Sequence, residues 1–172
     1  MYEKNKKQFY ESATNNILSK LDGMGLSKSD KNQAVYYVKL FREIFKYEEM
    51  RKWTFAALGG DLWDFGYDSV GFCRVASIAF SSVMGVKDWQ LMCIDEDKWD
   101  AKSAHHYLKH IPSGKFFDIT YDQFAIEGFE IPYHLGHPAI LNLGPGDETL
   151  RFADALNIDI LEELKKQSSG RK

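Results

Sequence analysis

Apolar side chains recur along this chain with two different periods, and the change of period divides it. Over residues 4–21 they fall at Phe9, Ala13, Ile17 and Leu21, the four-residue step of one helix face, and Asp22-Gly23 supplies a stop. A short polar linker, residues 25–31, leads into a second helical pattern. Its stripe is Ala34, Val38, Phe41 and Phe45, widened by Tyr37, Leu40 and Ile44, while Lys39, Arg42, Glu43 and Lys46 take the polar positions. Residues 1–57 therefore read as a helical N-terminal part. Residues 58–71 change character: Gly59, Gly60, Gly66 and Gly71 alternate with Trp63, Phe65 and Tyr67, a loop by composition. Helical spacing returns over 73–84, where Ala76, Ser77, Ala79, Ser81 and Ser82 keep the surface narrow and Gly85 is placed as a C-terminal cap. Small side chains let another element approach closely, so this segment predicts a central helix packed on a sheet.

Alternation with a period of two then predicts strands over 89–94, 103–111 and 115–120. Pro112-Ser113-Gly114 lies between the last two and predicts an antiparallel hairpin. Residues 124–143 carry glycines and prolines and alternate loop with short extended pieces, one of them over 129–133. A last amphipathic helix begins at Glu148 or Asn157 and runs to Lys166, ahead of a frayed tail over 168–172. The expected architecture is α+β, one domain spanning 1–172.

Composition supports a buried core, since 44% of the 172 residues are hydrophobic and 15% aromatic. A formal charge of −3 gives no general attraction to a phosphate backbone, so no nucleic-acid partner is expected. The opening MYEKNKKQFY lacks the apolar stretch of a signal peptide, and no run is long and apolar enough to span a bilayer. A cytoplasmic location away from membranes is the expectation; oligomeric state is not legible. A phosphate-binding glycine loop, a dinucleotide fingerprint, a CxxC pair and an HExxH helix are all missing, so no cofactor is implied. His105, His106, His110, His134 and His137 are the candidate metal ligands. The first three sit on a predicted strand without the acidic partner of HExxH, and the last two fall in a loop punctuated by proline and glycine, so no metal is implied.

Two cysteines are too few for a disulfide framework, and their settings differ. Cys73, in YDSVGFCRVAS, follows a glycine turn and opens a helix, where unpaired amides and the helix dipole favour a thiolate; Arg74 adds positive field. Cys93, in WQLMCIDED, lies among apolar neighbours on a strand and reads as structural. Downstream, AHHYLKH offers His105 and His106 on opposite faces of a strand, so alternation allows only one of them to face Cys73. An imidazole there can take the thiol proton and return it to a leaving amine. Asp118, in KFFDIT on the paired strand, can fix that imidazole's tautomer. With Pro112 to Lys115 as the turn, however, Asp118 falls opposite Lys109, about four residues from His105, and a twist or bulge is needed to close the gap. Trp63, Tyr107, Asp122 and Gln123 are candidates for lining the site. For the oxyanion, the Cys73 amide is one donor, with Trp63 or a polar group of the preceding loop as the second; Gln33 cannot be assigned.

Two pieces, GFCRVASIAF and HHYLKHIPSGKFFDIT extended to TYDQF, resemble the transglutaminase-like and papain-like cysteine enzymes, particularly small bacterial and phage members. The resemblance covers residues 66–124. It implies a cysteine at the start of a central helix packed on an antiparallel sheet, with His and Asp supplied by neighbouring strands; the additional N-terminal and C-terminal helices rest on the periodicity alone. It also implies an acyl-enzyme. Matched residue by residue, Cys73 takes the nucleophile position, His105 the base position when Tyr107 aligns with the family's aromatic residue, and Asp118 the acidic position before Thr120; His106 is the alternative base. Lys109 stands where the family often has glutamate, and Ile119 where it often has proline.

The function expected is a cysteine hydrolase acting on an amide or isopeptide bond of a protein or peptide substrate, with peptidase and deamidase as variants. A small amide or thioester is another substrate class. Two alternatives stay open: an acyl transferase using the same Cys-His-Asp site, and a noncatalytic interaction or toxin-neutralising protein that retains the fold.

Overall fold

The computed structural model describes residues 2–56, 68–139 and 145–169. Helix α1 (Tyr2–Lys20) leads through a single 3-10 turn into α2 (Lys28–Ile44) and α3 (Glu48–Phe55). The central helix α4 (Cys73–Met84) precedes β1 (Trp89–Ile94), β2 (His105–His110) and β3 (Lys115–Phe117). After the short α5 (Asp122–Ala125) come β4 (His137–Pro138), α6 (Asp147–Ala155) and α7 (Ile160–Ser169). The strands form one antiparallel sheet in the order β3-β2-β1-β4. The molecule is therefore α+β, with the cysteine-bearing helix on a four-stranded sheet and helices from both termini around it.

Sheet pleating sends alternate residues to two hydrophobic clusters. Trp89, Leu91, Leu108 and Phe117 join α4, α2 and α6 in the larger one; Met92, Ile94 and Tyr107 join Trp99 and Phe124 in the smaller. Helix α4 can lie close because Ala76 and Ala79 are fully buried, while Ser81 and Ser82 donate to the carbonyls of Trp89 and Ile78. Gly85 ends the helix at φ 107°, in the left-handed half of backbone space that favours glycine, and its amide bonds to Ser81.

Several expectations change in detail. Helix α2 starts earlier, at Lys28, because the Ser27 hydroxyl caps the Asp30 amide at 3.1 Å. The polar position Arg42 is buried, 1% exposed. The single last helix is two, since Asn157 adopts φ 53° and the amides of Asn157 and Ile158 fold back onto Asp154 and Ala153. No strand forms over 129–133. The hairpin turn comprises residues 111–114, with Gly114 at φ 69° and its amide 2.8 Å from the His110 carbonyl. His110 therefore pairs with Lys115, and Lys109 with Phe116, a register two residues away from the one the proline suggested. Of the expected tail, residues 170–172 lie outside the described residues.

Candidate active site

Cys73 is the first residue of α4. The first intrahelical bond on this end is from the Ala76 amide to Phe72, so the amides of Cys73, Arg74 and Val75 precede the hydrogen-bonded ladder. Gly71, at φ 84°, makes the turn into the helix, and a β-carbon there would also touch the Phe55 ring. Phe72 pins this end: its ring stacks on Phe45 at 4.4 Å between centroids and also meets Phe55 and Phe152. Arg51 covers the same ring at 4.8 Å and donates to the carbonyls of Asp68 and Val70 in the preceding turn. The nucleophile candidate thus stands on a helix end held by aromatic packing and one guanidinium.

His105 opens β2 and is fully buried; its Nε2 donates to Asp118 Oδ2 at 2.6 Å. The observed hairpin register explains the contact. Continued one pair past Leu108 and Phe117, it carries Asp118 to the level of Tyr107, diagonal to His105 on the same face, a spacing long side chains bridge without a bulge. Three further groups hold the carboxylate. The Thr120 amide and hydroxyl donate to Oδ1 at 2.9 and 3.3 Å, and the Tyr133 hydroxyl donates to Oδ2 at 2.9 Å. Burial alone would raise the Asp118 carboxyl, but the His105 charge, its hydrogen bond and these donors outweigh burial and hold it below the usual carboxylate range.

The second imidazole nitrogen, Nδ1, is left for the thiol. Gln123 lies 3.5 Å from it, too far for an effective bond, and the Gln123 amide spends its two protons on the Thr120 carbonyl and hydroxyl at 3.1 and 3.0 Å. Burial raises the Cys73 thiol, yet hydrogen bonds and charge from His105 and His106 pull it down to about 5. Burial likewise lowers His105, while Asp118 and Cys73 carry it up to about 10. Both directions describe a thiolate–imidazolium pair near neutral pH. Strand alternation did send His105 and His106 to opposite faces, but both reach the thiol. They occupy the first two positions of β2.

The other candidates take different places. Tyr107 is buried beside His105, ring centroids 6.2 Å apart, and its hydroxyl donates to the Tyr133 carbonyl. Asp122 turns to Arg42, whose guanidinium donates to both carboxylate oxygens at 2.9 and 3.1 Å and to the Ile119 carbonyl at 2.8 Å. Gln33 bonds the Val83 carbonyl, ten residues along α4 from Cys73 and therefore about 15 Å away. Arg74 pairs with Glu148 at 3.4 Å. Trp63 lies outside the described residues, as does most of the expected loop. Sequence reasoning missed Tyr133, Arg42, Arg51 and Phe72. Only Phe72, an aromatic ring beside the cysteine, carried a local signal.

Cys93 contrasts with Cys73: burial raises its thiol, and the negative groups of Asp95 and Cys73 add to the rise. It nevertheless joins a second cluster, because β4 brings His137 opposite Cys93, and Asp95 lies beside them, the three ligand atoms within 4.8 Å of one another. His137 is thus a strand residue rather than the loop residue expected. Cys, His and Asp side chains gather here in the combination a cysteine-dependent site uses. The chain matches no family model, no curated protein and no solved structure. Geometry alone carries the functional argument. No helix among the described residues is long and apolar enough to cross a membrane.

Proposed function

We propose that the protein is a cysteine hydrolase acting on an amide or isopeptide bond, with Cys73 as nucleophile, His105 as general base and acid, and Asp118 as the group that orients the imidazole. The proposal takes residues 1–172 as one transglutaminase-like domain. One observation carries it: the buried His105 imidazole has its Nε2 2.6 Å from the buried Asp118 carboxylate, while hydrogen bonding from the same imidazole pulls down a thiol that opens a helix. Cys93, raised rather than lowered, lacks that activation.

In the reaction the Cys73 thiolate adds to the acyl carbon, and negative charge moves to the carbonyl oxygen. The Cys73 amide, free of the helical ladder, is one donor to that oxygen. As the tetrahedral intermediate collapses, His105 Nδ1–H protonates the departing amine, leaving a thioester on Cys73. Water then attacks the thioester, giving its proton to Nδ1, and the acid departs while thiolate and imidazolium are restored. Asp118 keeps Nε2–H as its own donor throughout, so Nδ1 is the nitrogen that cycles. His106, the second group bonded to the thiol, supports the thiolate from the other face. An amine in place of water would make the same thioester an acyl-transfer intermediate.

The deciding experiment screens acyl-amide and isopeptide peptides, including glutamine side-chain amides, with and without an added primary amine, and looks for a thioester on Cys73 by mass spectrometry. Cys73→Ala should abolish turnover and the adduct. Turnover unchanged by that substitution overturns the proposal, and products carrying the added amine identify transfer.

A further inference from the structure

A second group of side chains lies on the sheet outside the triad. Cys93 is the cross-strand partner of His137 on one side and of His106 on the other, and residues opposite each other in an antiparallel pair share a face. Cys93 Sγ, an Asp95 carboxylate oxygen and a His137 nitrogen lie within 4.8 Å of one another. The thiol's own hydrogen bond is a long one, 3.6 Å to the Ile94 carbonyl.

The imidazole orientation adds an independent clue. His137 Nδ1 faces the Pro138 carbonyl at 3.2 Å, and Nε2 faces both Asp95 carboxylate oxygens at 3.2 Å. Both ring nitrogens therefore point at acceptors. A cation seated between Nε2 and the carboxylate would leave the Nδ1 proton for the Pro138 carbonyl and satisfy both. An Nδ1–H held by a backbone carbonyl, with Nε2 presented to a carboxylate, is the outer-shell arrangement of a metal-ligating histidine.

We infer that Cys93, Asp95 and His137 form a binding site for a divalent transition ion of the zinc class. Sulfur, imidazole and carboxylate together match zinc or cobalt rather than magnesium or calcium, which take oxygen donors. Tetrahedral zinc bonds would set the ligand atoms about 3.3–3.8 Å from one another; His137 Nε2 already stands 3.2 Å from the Asp95 oxygens, so the adjustment falls on the approach to Cys93 Sγ, which the exposed Asp95 and His137 side chains can make. Three protein ligands leave the fourth position to water. Binding converts the Cys93 thiol to a thiolate and releases its proton to solvent. His106 stays with Cys73, so this site and the triad are neighbours without shared ligands.

The test titrates the full chain with Co²⁺ and follows its absorption. A bound ion gives tetrahedral d–d bands with near-ultraviolet thiolate-to-metal charge transfer, both removed by Zn²⁺. Asp95→Asn and His137→Gln alter exposed side chains and should leave the circular dichroism unchanged. Each should weaken Co²⁺ binding by more than the ~10–100-fold that loss of an outer-shell partner costs. Cys73→Ala should leave the bands in place while removing hydrolysis, so this site and the proposed activity fail separately. The inference is overturned if no thiolate charge-transfer band appears. It is equally overturned if the band survives His137→Gln and Asp95→Asn or disappears in Cys73→Ala.

Discussion

Cys73 and Cys93 differ in the sign of one effect. Burial raises both thiols, but imidazole hydrogen bonds reverse it at Cys73, whereas the negative groups near Cys93 add to it. Iodoacetamide should therefore label Cys73 at pH 6, where Cys93 stays protonated; mass spectrometry of the two peptides against pH checks this, with the Cys73 curve rising near pH 5. Asp118→Asn should move that curve upward and lower turnover by about 10⁴-fold, as loss of the tautomer-fixing carboxylate does in other triads. Circular dichroism of the same variant would show whether folding survives. The preference for Cys73 was legible from its position after Gly71 at the start of a helix. The choice between His105 and His106 was not: alternation separated their directions correctly, but hydrogen bonds from both act on the Cys73 thiol.

At the scale of elements, the turns set the site. The hairpin of β2 and β3 brings Asp118 diagonal to His105 because residues 111–114, rather than the next set along, make the turn. The segment after β3 is then fixed from behind by Arg42 of α2, which bridges Asp122 and the Ile119 carbonyl, while the Tyr10 hydroxyl donates to the Arg42 carbonyl at 2.6 Å. Both partners of this ion pair are buried, 2% and 4% exposed at their side chains. Arg42→Ala should cost about 3–5 kcal/mol, because it leaves the Asp122 carboxylate buried and uncompensated. In urea titrations, Arg42→Leu combined with Asp122→Leu should be less destabilised than the sum of the single changes. Periodicity located α2 and its apolar stripe, yet placed Arg42 among the solvated positions. A guanidinium on the flank of a stripe is buried only when other elements supply its acceptors, and those are 28, 32, 77 and 80 residues away.

For the molecule as a whole, the proposed triad carries a pH signature in stability. His105, ordinarily near 6.5 and raised to about 10, contributes stability that is complete below 6.5 and lost as pH rises through 10. Cys73, ordinarily near 9 and lowered to about 5, contributes stability that is complete above 9 and lost as pH falls through 5. Between 6.5 and 9 the two slopes cancel, since folded and unfolded chains then hold the same number of protons at this pair. Thermal unfolding should accordingly show a plateau over that window, with stability falling from 6.5 towards 5 and from 9 towards 10. Cys73→Ala should remove the thiol's share and tilt the plateau downward with rising pH. A tilt in the other direction would contradict the ion pair.

Local pattern was enough to determine the elements that repeat regularly: α1, the stripe of α2, α4 with its Gly85 cap, β1 to the residue, and the order in which Cys73, His105 and Asp118 occur. These follow from side-chain period, capping chemistry and turn residues within a few positions of one another. Tertiary structure alone decided the hairpin register, the burial of Arg42, the Tyr133 donor to Asp118 and the meeting of Cys93 with His137 across β1 and β4. Each of these depends on which distant acceptor or strand arrives, and no period in the chain encodes an arrival.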